Sequence, residues 1–166
     1  MLDRLARAIR RNHGLEHATV AVLLSRRGPT LRLVGRAGVD GFYVHGNVGK
    51  AELLSAADEA LTRLQRGEGS LAVSPLCGTN LAVGGILAGL STLAMADSGR
   101  GRWDRLPNAL TLGLVSILAA QPAGRWLQQH VTTSPDMSQT RILGVRRGGR
   151  GRARYLKVET ARPAGA

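Results

Sequence analysis

The sequence predicts an α+β protein, in which a small cytoplasmic α-β-β-α-β domain is completed by a C-terminal β-hairpin and interrupted by a two-helix transmembrane hairpin. Three observations support this fold class. Apolar residues recur with a helical period in two N-terminal segments, two uncharged stretches of membrane length occupy the middle of the chain, and alternating segments flank a glycine-rich turn near the end. A chain of 166 residues therefore has room for one modest domain outside the membrane, built from both ends.

The first domain, predicted over residues 1–78, begins with a long amphipathic helix from Leu2 to Ser25. Asp3 suits the positive end of the helix dipole, and Arg26-Arg27-Gly28-Pro29 is a strong stop signal. Arginines dominate the first half of this helix, whereas Ala18 to Leu24 is almost wholly apolar. We expect the helix to start exposed and to end buried.

Two strands and a second helix are predicted next. Thr30 to Arg36 and Gly41 to His45 have the composition of an antiparallel hairpin with a glycine-containing turn. Asn47 is expected to cap a helix from Gly49 to Arg66, in which leucines recur on one face. Ser70 to Ser74 is predicted to add a third strand.

The middle of the chain, residues 79–124, is predicted to form a transmembrane hairpin. Thr79 to Ala96 and Leu106 to Gly124 carry no charge, are about as long as a hydrocarbon core is thick, and are joined by a polar link that contains glycines. Because both stretches are rich in small and polar residues, a helical pair buried in a soluble core is the alternative. Gly85 and Gly89 form a G-x-x-x-G motif, which predicts close packing within the hairpin or a homo-oligomer.

The last part of the chain, residues 125–160, is predicted to be a cytoplasmic β-hairpin, followed by a disordered tail over 161–166. Its strands are expected at Arg141 to Arg147 and Arg152 to Val158, on either side of a glycine-rich turn. This hairpin is expected to complete the sheet of the first domain.

The charge distribution predicts the location and the partners. Most of the net charge of +12 lies in the segments before and after the pair of uncharged stretches and little in the link between them, as the positive-inside rule requires when both termini are cytoplasmic. The chain is therefore predicted to be a multi-pass protein of a bacterial plasma membrane, with membrane lipid as its partner. An aromatic content of 3% disfavours nucleic acid, because bases stack on aromatic side chains. Recruitment of nucleic acid or anionic lipid by Arg141 to Lys157 is the weakest alternative.

His13-Gly14-Leu15-Glu16-His17 is an H-x-x-E-H sequence, the inverted zincin arrangement. On a helix, two histidines four residues apart lie on one face and can bind one zinc ion. Glu16 beside the metal can take the proton of a bound water and act as the catalytic base. The alternative is that these three side chains are ordinary residues of an amphipathic helix.

A zinc site needs a third ligand besides His13 and His17, and Cys77 is the preferred candidate. It lies where the chain enters the first uncharged stretch, and a thiolate there would gain from the helix N-terminus. A lone cysteine in an apolar segment is also often just a small buried hydrophobe. His45, between glycines, is the alternative ligand. The weaker candidates are Glu52, Asp58, Glu59 and Glu68, and His130 is expected to be interfacial.

Two motifs together resemble known families: His13 to Thr19, and Cys77-Gly78-Thr79 about sixty residues later. Over most of residues 10–160 the chain resembles domain of unknown function 6391, a family of small two-pass bacterial membrane proteins. It more distantly resembles the YqhQ-like family of metal-dependent membrane enzymes, in which H-G-x-E-H-x-T precedes R-C-G-T; Leu76 here replaces the basic residue. The resemblance implies a shared site of His13, Glu16, His17 and Cys77, without a reaction.

The function predicted from these observations is a membrane-anchored, zinc-dependent hydrolase at the cytoplasmic membrane surface. His13, His17 and Cys77 would bind the metal, Glu16 would act as general base, and the substrate would itself be membrane-bound. The alternatives are a non-catalytic membrane adaptor with structural zinc, in which Glu16 is a fourth ligand or orients a histidine, and a basic membrane-surface binding protein. Nucleotide chemistry has no support, because the chain has no phosphate-binding glycine motif.

Overall fold

The computed structural model describes residues 2–96, 102–151 and 154–161. The chain divides into two compact units. The first, which we call the α+β unit, comprises Met1–Ser74 and Gln129–Ala166, and the second, the helical unit, comprises Pro75–Gln128.

The α+β unit contains two long helices and four strands in its described residues. Helix α2 begins after Gly49, whose N–H donates to the Glu52 carboxylate at 3.4 Å, so the predicted cap at Asn47 is wrong. The elements in chain order are α1 (Leu2–Arg27), β1 (Leu33–Gly38), β2 (Gly41–Gly46), α2 (Lys50–Gln65), a 3₁₀ helix (Gly69–Ala72), β3 (Arg141–Gly148) and β4 (Tyr155–Ala161).

The four strands form one antiparallel sheet in the order β1-β2-β4-β3. β4 therefore lies between β2 and β3, and the sheet combines strands from both ends of the chain. The pairing agrees with a C-terminal hairpin that completes the sheet. Ala161, predicted to be in the disordered tail, is the last residue of β4, and residues 162–166 lie outside the described part.

One face of the sheet packs against α1 and α2 and forms the core. Phe42 and Val44 of β2 and Val158 of β4 are at most 1% exposed, because alternate residues of a strand point to the same side. Leu15 of α1 and Leu53 of α2 are fully buried in the same cluster. Each such side chain contributes about 1.5–3 kcal/mol when it is removed from water. The site-bearing helix is thus fixed on this face.

The segment after α2 is a 3₁₀ helix, so the predicted strand over Ser70 to Ser74 is wrong. Gly67 has a positive φ of 95° and turns the chain out of α2. The next amides then bond three residues back, with Leu71 N–H donating to the Glu68 carbonyl at 3.1 Å and Val73 N–H to the Ser70 carbonyl at 3.2 Å. These local bonds satisfy the backbone without a sheet partner.

The helical unit consists of two helices that pack antiparallel: α3 (Gly78–Ala96) and α4 (Arg102–Leu127). The Ser91 and Ser116 hydroxyls lie 2.9 Å apart, and nearer the other end Gln128 donates to the Asn80 side chain at 3.0 Å. A π-helical turn, Gln128–Thr132, follows α4. The predicted link glycines, Gly99 and Gly101, lie outside the described residues.

The G-x-x-x-G motif does not bring these two helices together. A Cβ added to Gly85 or Gly89 would meet no atom within 4 Å, whereas one added to Gly84 would contact the Ala120 Cβ at 3.4 Å. Gly124 packs against the Asn80 side chain so closely that a Cβ there would overlap it. The prediction that Gly85 and Gly89 mediate packing within the hairpin is therefore wrong.

No helix in the described residues is long and apolar enough to cross a membrane. This finding contradicts the transmembrane hairpin predicted over 79–124, the multi-pass plasma-membrane location, and membrane lipid as an integral partner. The prediction relied on the absence of charge, but absence of charge does not measure apolarity. Glycine, serine and threonine, together with amides such as Asn80, occupy many positions of the two stretches and lower their mean hydropathy.

Candidate metal centre

The H-x-x-E-H sequence lies in the buried middle of α1. The residues before Ile9 are mostly exposed, whereas Glu16 and His17 are 7% and 5% exposed and the His13 side chain is 19% exposed. The spacing of four residues places both imidazoles on one face, with ring centroids 4.3 Å apart. α1 therefore brings two imidazoles and a carboxylate, which can bind a metal ion or accept a proton, together at one mostly buried site.

Both imidazoles are held by main-chain carbonyls from distant segments. His13 Nδ1 lies 3.0 Å from the Thr132 carbonyl oxygen, and His17 Nδ1 lies 2.8 Å from the Ala72 carbonyl oxygen. A carbonyl oxygen can only accept a hydrogen bond, so each Nδ1 must carry the proton. In the neutral ring the other nitrogen, Nε2, is then the one that carries the lone pair, as in metal-binding histidines.

The two Nε2 atoms converge on Glu16. The Oε2 atom of Glu16 lies 4.0 Å from Nε2 of His13 and 4.0 Å from Nε2 of His17. Ligand atoms of a tetrahedral zinc ion, at bond lengths of about 2.0–2.2 Å, lie about 3.3–3.6 Å apart, so the separations of 4.0 Å are about 0.4–0.7 Å wider than one shared ion requires. A small inward shift of the three groups would let one ion bind the histidines, with the carboxylate beside it or bound to it.

Gly35 of β1 makes room for the Glu16 carboxylate. A Cβ added to Gly35 would overlap Oε1 of Glu16, and its distance to the Cγ atom would be 2.8 Å. The carboxylate therefore lies directly against bare backbone on the inner face of the sheet, where Gly35 pairs with Val44. Gly35 was not predicted from the sequence, although an isolated glycine inside a strand pattern often marks such a close approach.

Gly14, between the two histidines, allows both carbonyl-bearing segments to approach α1. A Cβ at this position would lie 2.5 Å from the Ser134 carbonyl oxygen and 3.1 Å from the Ala72 Cβ. Any larger residue would push these segments outward. The glycine is thus part of the arrangement that gives His13 and His17 their acceptors.

Arg10 holds the segment that carries the Thr132 carbonyl. Its guanidinium donates to the His130 carbonyl at 2.9 Å and to the Thr133 carbonyl at 3.2 Å, and its own carbonyl accepts from Ser134 N–H at 3.0 Å. Three bonds therefore fix this segment against α1, one turn before His13. Sequence reasoning grouped Arg10 with the exposed arginines and missed it, because its acceptors are main-chain atoms far along the chain.

Cys77 belongs to the helical unit and immediately precedes α3. Its Sγ accepts the Thr79 N–H at 3.4 Å, and its thiol donates to the Thr79 hydroxyl at 3.3 Å. The sulfur thus interacts with one of the amides that a helix N-terminus leaves without an intrahelical acceptor. Along the chain, Cys77 follows Ala72 by five residues.

His45, the alternative ligand, lies on the opposite face of the sheet from α1. It alternates with the buried Phe42 and Val44, and its ring centroid is 5.8 Å from that of Tyr155. The structure therefore does not bring His45 to the histidine pair.

The acids of α2 and its end, also considered as ligands, mostly form surface ion pairs. Glu52 pairs with Arg27, Glu59 with Arg26 and Glu68 with Arg63. Asp58 is exposed on α2, and the main-chain carbonyl of His130 accepts from Arg10.

Sequence comparison places the chain in a family. Residues 8–145 match the family described as Domain of unknown function (DUF6391). The chain belongs to this family. The DUF6391 match includes His13, Glu16, His17 and Cys77, so all residues of the predicted site lie within the family's own region.

A relative of this DUF6391 chain is "Uncharacterized protein SYNPCC7002_A1392" of Picosynechococcus sp. (strain ATCC 27264 / PCC 7002 / PR-6). The two are 38% identical over 142 residues, which cover 76% of this chain and 66% of the relative. The chain thus spans just under two thirds of the length of that relative. No solved structure matches the chain.

Proposed function

We propose that this DUF6391 chain is a metal-dependent hydrolase whose divalent ion is zinc. The observation that carries the proposal is the state of the histidine pair: His13 and His17 each direct Nδ1 to a carbonyl, and both Nε2 atoms lie 4.0 Å from the Glu16 carboxylate. Metal-binding histidines almost always donate their second ring N–H in this way. An H-x-x-E-H sequence on an ordinary helix surface has no reason to carry two such acceptors.

Cys77 is the proposed third ligand. Cys77 follows Ala72, whose carbonyl bonds to His17, by five residues, and a chain of that length spans at most about 18 Å. Two imidazoles and a thiolate form a ligand set that zinc prefers. The resemblance of His13 to Thr19 and of Cys77-Gly78-Thr79 to the YqhQ-like motifs supports the same set.

In this proposal Glu16 is the general base. Zinc with three protein ligands leaves a fourth position for water and lowers the pKa of that water to near 7. The Glu16 carboxylate would take one proton from the attacking water and return it to the leaving group, so that bond cleavage consumes one water molecule. Gly35 and the two histidines confine the carboxylate to the place where this transfer would occur.

A structural zinc site is the second candidate, and the position of Glu16 favours it specifically. The carboxylate is 7% exposed and equally distant from both Nε2 atoms, as expected of a fourth ligand that closes the coordination shell. A closed site of four protein ligands would hold the fold together without catalysing a reaction.

Elemental analysis of the purified full chain, with His13→Ala, His17→Ala, Cys77→Ser and Glu16→Gln, distinguishes the two. The hydrolase predicts about one zinc per chain, lost in the first three variants and kept in Glu16→Gln, whose hydrolytic activity is lost. Loss of zinc in Glu16→Gln as well would identify a structural site. His45→Ala is the matched control and should keep its zinc. Wild type that binds no divalent ion after reconstitution would refute both.

A further inference from the structure

The two middle strands of the sheet, β2 and β4, separate at one end. Their antiparallel register ends at Val44 and Leu156, although β2 continues to Gly46 and β4 begins at Tyr155. At this same end β1 stays paired with β2 as far as Gly46, and β3 stays paired with β4 as far as Tyr155. Each middle strand therefore keeps its outer neighbour while a gap opens between the two, which we call the β2–β4 cleft.

The β2–β4 cleft is a cavity of about 210 Å³ with an apolar lining. Val44 and Leu156, which are 1% and 6% exposed, belong to the core side of the sheet, and half-buried Val48 lies next to them in the lining. The volume is about seven times the ~30 Å³ that one molecule occupies in liquid water. The cleft therefore has room for a ligand of about seven heavy atoms.

Two arginines line the same cleft. Arg147 pairs with Leu156 across β3 and β4, so its side chain is on the core side of the sheet, and Arg154 comes directly before β4. Both side chains are exposed, and neither forms an ion pair within the part of the chain that the structure describes. No described residue of the lining is acidic. The cleft thus combines apolar side chains with two positive charges that no carboxylate of the lining balances.

Other cations of the same two strands have carboxylate partners from the chain. Lys157 of β4 pairs with Asp40, and Arg146 of β3 pairs with Glu159 at 3.3 Å. These pairs lie on the opposite face of the sheet from the cleft, because neighbouring residues of a strand point to opposite sides. A carboxylate brought by a ligand would do for the cleft arginines what these two acids do for their neighbours.

We propose that the β2–β4 cleft binds a small carboxylic acid with a branched apolar tail. Its carboxylate would bind to Arg147 and Arg154, because a guanidinium matches the planar carboxylate and forms charge-assisted hydrogen bonds with it. Its tail would lie against the three apolar side chains of the lining. Small-molecule sites usually combine an apolar lining with a few charged groups in this way. The cleft shares no residue with the candidate metal centre, so it is independent of the proposed function.

Isothermal titration calorimetry of the full chain with sodium isovalerate, a branched acid of about seven heavy atoms, tests this proposal at low salt. We expect a Kd of about 1 mM or tighter. Acetate has the charge without the branched tail, and isovaleramide has the tail without the charge. Each should therefore bind at least about 10-fold more weakly than isovalerate. Inorganic phosphate that bound as tightly as isovalerate would indicate a site for any anion and overturn the proposal.

Variants locate the binding site. Arg147→Gln and Arg154→Gln should each weaken isovalerate binding by about 10-fold or more, because each removes a charged hydrogen-bond donor. Val48→Ala should weaken it by about 3- to 10-fold, because the tail loses part of its apolar contact. Arg66→Gln, at an exposed arginine that ends α2, makes the same charge change away from the cleft and should bind as wild type.

Circular dichroism should show that every variant is folded. Wild type that binds no isovalerate at about 10 mM would overturn the proposal, because that concentration is about tenfold above the expected Kd. So would equal affinity for isovalerate and isovaleramide, wild-type affinity in both Arg147→Gln and Arg154→Gln, or a loss in Arg66→Gln as large as theirs.

Discussion

Gly35→Ala should displace the Glu16 carboxylate of the candidate metal centre, although Gly35 itself is not a residue of that centre. In β1 an alanine would normally stabilise the strand by about 0.5–1 kcal/mol, because glycine loses more backbone entropy on folding. Here the new Cβ would overlap Oε1 of Glu16, and overpacking of this kind costs about 1–3 kcal/mol. We therefore expect a net loss of about 0–2.5 kcal/mol in the free energy of unfolding.

The same substitution should lower the hydrolytic rate, which depends on the position of the Glu16 carboxylate, without lowering the amount of bound zinc. Moving the Glu16 carboxylate by about 1 Å should lower hydrolysis by roughly 100-fold, because a misplaced base loses its alignment with the attacking water. Zinc stoichiometry should be unchanged, since His13, His17 and Cys77 are not displaced. Gly85→Ala is the matched control, because a Cβ there meets no atom within 4 Å.

A double-mutant cycle with Glu16→Ala tests whether the loss of stability comes from contact between the new Cβ and the Glu16 carboxylate. Urea unfolding should show that Gly35→Ala costs about 1–3 kcal/mol more in the wild type than in Glu16→Ala, where the substitution should be neutral or slightly stabilising. An equal cost of Gly35→Ala in both backgrounds would refute the argument, because the cost would then not come from contact with the carboxylate.

Two further predictions concern Arg10 and the pair Asp40–Lys157. Arg10→Gln should weaken zinc binding by about 10- to 100-fold in a competition titration, because it releases the segment that presents the Thr132 carbonyl to His13. Arg7 is exposed, so the control substitution Arg7→Gln should leave zinc affinity unchanged. The hydrogen bond from Lys157 lowers the pKa of Asp40 below 3.8, so this stabilisation is present above that pH and is lost as the pH falls through the lowered pKa. Urea unfolding at pH 2–5 should therefore show a smaller acid loss of stability in Asp40→Asn than in wild type; equal pH profiles would contradict it.

The histidine pair was predictable from the sequence, whereas what orients it was not. A spacing of four residues places His13 and His17 on one helix face wherever the helix lies. Their acceptors are main-chain carbonyls 119 and 55 residues away, at Thr132 and Ala72. Every residue has a main-chain carbonyl, so no residue type or sequence pattern identifies the carbonyl that will accept the hydrogen bond. Only the glycine at position 14 pointed to a close approach, and many conformations need a glycine.

Errors in the fold prediction came from treating local composition as sufficient. Ser70 to Ser74 could alternate as a strand, but its amides bond locally in a 3₁₀ helix, and it joins neither open edge of the described sheet, β1 or β3. The stretches Thr79 to Ala96 and Leu106 to Gly124 lack charge, yet their small and polar residues dilute their hydropathy. In the first case an alternating pattern was not enough to make a strand, and in the second the absence of charge was not enough to make a membrane span.

The position of β4 between β2 and β3 has a consequence for biosynthesis. While the ribosome is still making the segment that follows Ser74, β1 and β2 are complete but one edge of their hairpin has no partner, and Phe42 and Val44 lack the neighbours that β4 supplies. Such long-range pairing slows folding and leaves an unpaired strand edge on the nascent chain, which can pair with other chains. Thr132 and β4 emerge long after α1, so His13 obtains its acceptor only once the helical unit has been made. Loading of the proposed metal should therefore follow synthesis of the helical unit rather than accompany synthesis of α1.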